Sequence, residues 1–209
     1  MTTTQPIKTL FANDIHRRIE EVIKVDQNDD EILRDEINEY VVTDAIRSHY
    51  TGIYEAYRET PNKPHEGIAI WVSGFFGSGK SSFAKMLGIS ISNRTIAGES
   101  AAERFGQRTG DKKLQVLLKA IAEKIPTHAV IFDVSTDRGI KSGNQTLTEI
   151  MYRLFLQSLG YSKDLDLSEL EIALEGSGQL EKFTSQYSKE FSKAWDEDKG
   201  LVAFSLGRA

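Results

Sequence analysis

The chain has 209 residues, with 31 acidic against 26 basic side chains and a net charge of -5, a balance that argues against a dedicated non-specific nucleic-acid binder, which is basic overall. It contains no cysteine, which removes disulfides and thiolate zinc sites and suits a reducing compartment. The opening Met1-Thr2-Thr3-Thr4-Gln5-Pro6 is no secretory leader, and no apolar run approaches the about 20 residues that span a bilayer. A soluble, cytoplasmic chain without a membrane partner is expected.

Residues 1–62 read as a helical N-terminal region. Phe11, Ile15, Ile19, Val22 and Ile23 recur at helical spacing, as do Leu33, Ile37, Tyr40 and Val41. So do Ile46, Tyr50, Ile53, Tyr54 and Tyr57, behind a Thr43 suited to capping. The acidic run 26–30 reads as a loop. Thr60-Pro61-Asn62-Lys63-Pro64 breaks the pattern and marks a boundary.

From residue 63 the character changes. Ile68-Ala69-Ile70-Trp71-Val72-Ser73 is short and almost wholly apolar, like a parallel strand buried on both faces. A Gly-rich loop follows, then a helix to about Ile91 carrying Phe83, Met86 and Leu87 on one face. Ser100 and Glu103 suggest a short capped helix. Leu114, Leu117, Leu118, Ile121 and Ile125 mark an amphipathic helix that Pro126 stops. Ala129-Val130-Ile131-Phe132-Asp133-Val134 reads as a second buried strand.

Beyond the loop 135–144, Thr146 and Glu149 form a capping box for a helix that Gly160 closes. Ser168 and Glu171 are expected to open another helix, closed by Gly176. Leu180, Phe183, Tyr187 and Phe191 continue the helical rhythm, and Leu201–Leu206 is an apolar ending.

The chemistry lies in Gly74-Phe75-Phe76-Gly77-Ser78-Gly79-Lys80-Ser81, a full match to G-x-x-x-x-G-K-[ST]. Glycines let main-chain N–H groups approach an anion, and the helix that follows offers free N–H groups and the positive end of its dipole. Lys80 reaches the β and γ phosphates of a nucleoside triphosphate, the Ser81 hydroxyl ligates Mg²⁺, and Ser82 touches the α phosphate. ATP with Mg²⁺ is the expected ligand. Phe75 and Phe76 are unusual inside such a loop and are expected to pack on the domain's own core.

The strand–loop–helix order predicts an α/β fold with the parallel sheet of a P-loop NTPase, AAA-like, incomplete within this chain. Residues 63–209 would be the first part of that domain. Val130-Ile131-Phe132-Asp133 resembles a strand ending in a magnesium-binding acid. Because Val134-Ser135 follows instead of a second acid, the favoured reading makes Asp133 a strand-end residue beside the cradle. It remains the one candidate catalytic residue, as a magnesium or water contact. Asp137-Arg138-Gly139, Arg104 and Arg108 read as solvated charges, and the scattered histidines His16, His49, His65 and His128 show no metal-ligand spacing.

With these residues in view, the chain resembles the N-terminal part of the BrxC (PglY) family, the large P-loop proteins of bacteriophage-exclusion (BREX) systems. The similar stretches are Ile7-Lys8-Thr9-Leu10-Phe11 with Asp14-Ile15-His16-Arg17; Glu39-Tyr40-Val41-Val42-Thr43-Asp44; Trp71 through Ser82; and Val134-Ser135-Thr136-Asp137. The resemblance implies an AAA-like ATPase module of a longer protein, partnered by a DNA methyltransferase and other BREX proteins in host methylation and phage restriction. This chain would then be a truncation without the later ATPase elements, which puts independent hydrolysis in doubt. Homo-oligomerisation and direct DNA contact are left open by the sequence. The rival readings are a small-molecule or nucleoside kinase, disfavoured by an acidic, Arg-poor 160–209, and a non-catalytic interaction module that carries nucleotide.

Overall fold

The computed structural model describes residues 6–11, 15–16, 24, 29–63, 69–92, 94–133 and 146–201. A single 3₁₀ turn, Ile7–Leu10, precedes nine α-helices among these residues. They are α1 (Asp30–Glu39), α2 (Asp44–Glu59), α3 (Lys80–Ile91), α4 (Ala101–Thr109), α5 (Lys112–Lys124), α6 (Leu147–Ser158), α7 (Leu165–Gly176), α8 (Leu180–Phe191) and α9 (Trp195–Asp198).

Helix starts follow local chemistry. The Asp29 carboxylate accepts from the N–H groups of Glu31 and Ile32, both at 3.0 Å, so α1 begins there. Thr43 accepts from Ile46 N–H at 3.3 Å and starts α2. Asp111 does the same for α5, and Thr146 with Glu149 closes the capping box of α6. Helix α7 starts earlier than its sequence suggests. Its cap is Asp164, while Ser168 and Glu171 lie inside the helix and are buried.

The main core unites helices from both sides of residue 62. Leu33 and Ile37 of α1, Tyr50 and Tyr54 of α2, Met86 and Ile89 of α3, Phe105 of α4 and Leu114, Leu118 and Ile121 of α5 form one buried cluster. Its centre is aromatic. Tyr50 stacks on Phe83 with ring centroids 4.5 Å apart, meets Phe105 edge-on at 5.1 Å, and donates its hydroxyl to the Phe83 carbonyl at 3.1 Å. Through these contacts α2 grips the helix that follows the Gly-rich loop. A second cluster, Leu167, Tyr187 and Trp195 with Phe183 and Phe191, joins α7, α8 and α9.

The expected parallel sheet of a P-loop NTPase is overturned. Among the described residues the strands are β1 (Thr95–Ile96) and β2 (Glu99–Ser100), an antiparallel pair of two residues each. They meet across a turn in which Ala97 and Gly98 take positive φ. The protein is mostly helical. Residues 69–74 and 125–133 run without regular structure.

The physical reason is that a short apolar run has no periodicity to separate a buried strand from an extended segment packed on helices. Strands also need ladder partners, and the neighbours described here are helices. Ile131 accordingly packs against α3: its Cδ1 lies 2.7 Å from where a Cβ on Gly88 would stand. The described residues of the first run are exposed.

Candidate functional site

The Gly-rich loop closes directly onto α3. Gly77 and Gly79 take φ of 78° and 84°, and Gly79 is the N-cap. A side chain at either position would be strained, because L-residues avoid this left-handed region. Gly74 is constrained differently. A Cβ there would stand 2.7 Å from Ser78 Oγ, so the loop is wound too tightly at its base for any other residue without movement.

The cap supplies no side-chain acceptor. The first-turn N–H groups of α3 have no partners inside the helix, and they face outward with the positive end of its dipole. The Lys80 ammonium folds back over this turn and donates to the Phe75 carbonyl at 2.8 Å. Ser78 N–H donates to the same carbonyl at 3.2 Å. Lys80, Ser81 and Ser82 therefore occupy the first turn of α3, the position that the phosphate and magnesium roles expected of them would require.

Phe75 and Phe76 do not pack on the core, contrary to expectation. They are 91% and 105% exposed. Both lie between Gly74 and Gly77, just ahead of the positive-φ glycines that turn the loop onto α3, and their side chains stand in solvent. Asp133 is exposed and is not among the residues lining the cleft described below. Asp137, Arg138 and His65 lie outside the described residues. Arg104 pairs with Glu99 at 2.9 Å and Arg108 donates to the Tyr40 carbonyl at 2.7 Å, so both tie α4 to its surroundings. His128 bonds Ser158 at 3.1 Å.

A cleft of about 530 Å³ opens beside the loop, between α2 and residues 70–73. Ile46, His49 and Ile53 of α2 form one wall, Trp71 and Val72 contribute to the other, and Ser78, Gly79 and Lys80 close one end. Sequence reading did not find it. The three α2 residues fall at i, i+3 and i+7, one helical stripe, and that stripe looks like any core-facing face until its neighbour is known.

The Ser81 hydroxyl at the start of α3 would fit Mg²⁺ carried by a nucleotide. No group of three or more His, Asp or Glu side chains suited to a metal occurs among the described residues. Mg²⁺ keeps several waters and takes phosphate oxygens, so one hydroxyl such as that of Ser81 suffices on the protein side. No helix among the described residues is long and apolar enough to cross a membrane. No protein-family model matches this chain, and no solved structure matches it.

Proposed function

We propose that this chain binds a nucleoside triphosphate, ATP foremost, with Mg²⁺ on the turn Gly74–Ser82. The observation that carries the reading is the left-handed Gly77–Gly79 turn, which leaves the amino end of α3 bare beneath the Lys80 ammonium. Backbone N–H groups and one ammonium at a helix start are a receptor for a polyanion. Such a receptor needs a turn and a helix and draws nothing from a sheet.

The resemblance to the BrxC family supports the setting: a cytoplasmic BREX component in which nucleotide binding or hydrolysis drives assembly with the methyltransferase and other phage-defence proteins. Calorimetry with Mg-ATP and Mg-GTP on the wild type and on Lys80→Ala tests the binding step. Saturable binding of Mg-ATP that the substitution weakens on the order of 100-fold is expected. Equal heats from both proteins would remove the loop as the site.

A second reading, a module that carries nucleotide without turning it over, is favoured by one feature. Among the described residues, the lining of the cleft contains no Asp or Glu to orient a water. Phosphate release measured beside binding separates the two: binding without release supports the module, and release at a steady rate supports the ATPase.

A further inference from the structure

We propose that the cleft between α2 and residues 70–73 receives the base and ribose of the nucleotide, and that Trp71 stacks on the base. This rests on the phosphate reading and extends it to the neutral half of the ligand.

The charge pattern of the cleft carries the argument. Among the described residues of its lining, Lys80 is the sole Lys, Arg, Asp or Glu, and it stands at the loop end. The rest is apolar or polar: Val41, Ile46, Ile53 and Val72, with the hydroxyls of Ser73 and Ser82 and the His49 ring. A nucleotide has the same polarity along its length, an anionic tail and a flat uncharged heterocycle. The volume of about 530 Å³ lies within the roughly 300–1,000 Å³ usual for small-molecule sites.

Reach agrees with chemistry. Trp71 precedes Gly74 by three extended residues, about 10 Å of chain, comparable with the separation of a base from its β phosphate. The indole is 91% exposed at the cleft edge. A large aromatic face beside a phosphate-binding turn is a ready stacking surface, and base–aromatic stacking is worth on the order of 10- to 100-fold in affinity.

The test compares Mg-ATP with Mg-tripolyphosphate, which has the anion and no base. Affinities of the full chain are measured by calorimetry for the wild type, Trp71→Ala and Trp71→Phe. Indole fluorescence is followed in parallel; Trp195, the other tryptophan, is buried in the second cluster. The wild type should bind Mg-ATP at least tenfold more tightly than Mg-tripolyphosphate. Trp71→Ala should lose about tenfold for Mg-ATP and nothing for Mg-tripolyphosphate, while Trp71→Phe keeps most of the preference. Fluorescence should change with Mg-ATP alone, and the change should vanish in both variants.

Equal affinity for the two ligands in the wild type would overturn the base site and leave the phosphate reading standing. A Trp71→Ala protein that retains the full preference for Mg-ATP would also overturn it. A wild type that binds neither ligand would overturn the phosphate reading and the base site with it.

Discussion

The Lys80 ammonium sits 2.8 Å from the Phe75 carbonyl, so the cation of the Gly-rich loop is held by the loop itself. An incoming phosphate must displace this neutral carbonyl oxygen and offers an anionic one in its place. At about 4 Å and an effective dielectric near 20, a cation–anion contact is worth about 4 kcal/mol before desolvation.

Lys80→Met is therefore expected to weaken Mg-ATP binding on the order of 100-fold, about 2.7 kcal/mol net. The solvent-accessible bond to Phe75 contributes little to folding, so stability should fall by less than about 1 kcal/mol. Lys80→Arg should recover part of the affinity, since a planar fork replaces a compact point charge. Calorimetry and thermal melts on the same samples check both halves.

The glycines of the loop are needed for two different reasons, and paired substitutions separate them. Gly74→Ala brings a Cβ to 2.7 Å from Ser78 Oγ, a clash with a side chain. Removing that hydroxyl in Gly74→Ala/Ser78→Ala should restore most of the nucleotide affinity lost by Gly74→Ala alone. Gly79→Ala meets no neighbouring atom within 4 Å, and its φ is +84°. The strain there is in the backbone, about 1–2 kcal/mol, and no second-site truncation should relieve it. A double-mutant cycle on affinity in which Ser78→Ala rescues both alanines equally would refute this division.

What was legible in the sequence was local. Thr43, Thr146 with Glu149, and Pro126 each act within a few residues of themselves, and each start or stop they mark is found. The order loop then helix at Gly74–Ile91 was also legible, because Gly79-Lys80-Ser81 carries its own geometry. What failed depended on partners. The runs around Ile70 and Ile131 become strands only if other strands lie beside them, and among the described residues helices do. Ser168 and Glu171 imitate a cap, yet Glu171 is drawn inward, accepting from Trp195 Nε1 and from Ser162 N–H, each at 2.6 Å. The cleft went unread for the same reason: its walls, α2 and residues 70–73, meet only in three dimensions.

Alkaline pH should unfold the main core through its tyrosines. Burial is the leading cause that raises the Tyr40 phenol above its ordinary value and holds the Tyr50 and Tyr54 phenols well above it. A group whose folded pKa is raised gives stability that is complete below the unfolded value of about 10 and is lost as pH rises beyond it. Stability should therefore decline from about pH 10 upward, by about 1.4 kcal/mol per pH unit for each of the buried Tyr50 and Tyr54. Phenolate absorbance should rise together with loss of helix. Tyr54→Phe loses the 2.6 Å bond with Ser90 and should be less stable by about 1 kcal/mol at neutral pH. Near pH 11 that deficit should shrink or reverse, because phenylalanine does not ionise in the unfolded chain.

Behind the loop, α3 is fastened by a buried charge. Lys85 is fully buried, donates to the Lys24 carbonyl at 2.7 Å, and stands 2.6 Å from Glu36 Oε2 of α1. The Glu36 contact is at ion-pair distance but off hydrogen-bond alignment, since that oxygen has no hydrogen-bond partner by angle. The separation is the more telling quantity for an attraction between charges. Such pairs add little net stability, yet breaking one costs about 3–5 kcal/mol because the remaining ion is stranded. The Glu36 side chain keeps 17% of its exposure, which lets water soften the loss. Lys85→Met should therefore destabilise the fold by about 2–3 kcal/mol, with Glu36→Leu/Lys85→Met recovering most of it. Denaturant melts of the full cycle measure the coupling. Nucleotide affinity of the folded double variant should match the wild type, because the pair holds α3 against α1 and takes no part in the first turn where Lys80 and Ser81 stand. A double variant as unstable as the single would show that Lys85 acts through its packing and its bond to Lys24, with Glu36 a bystander.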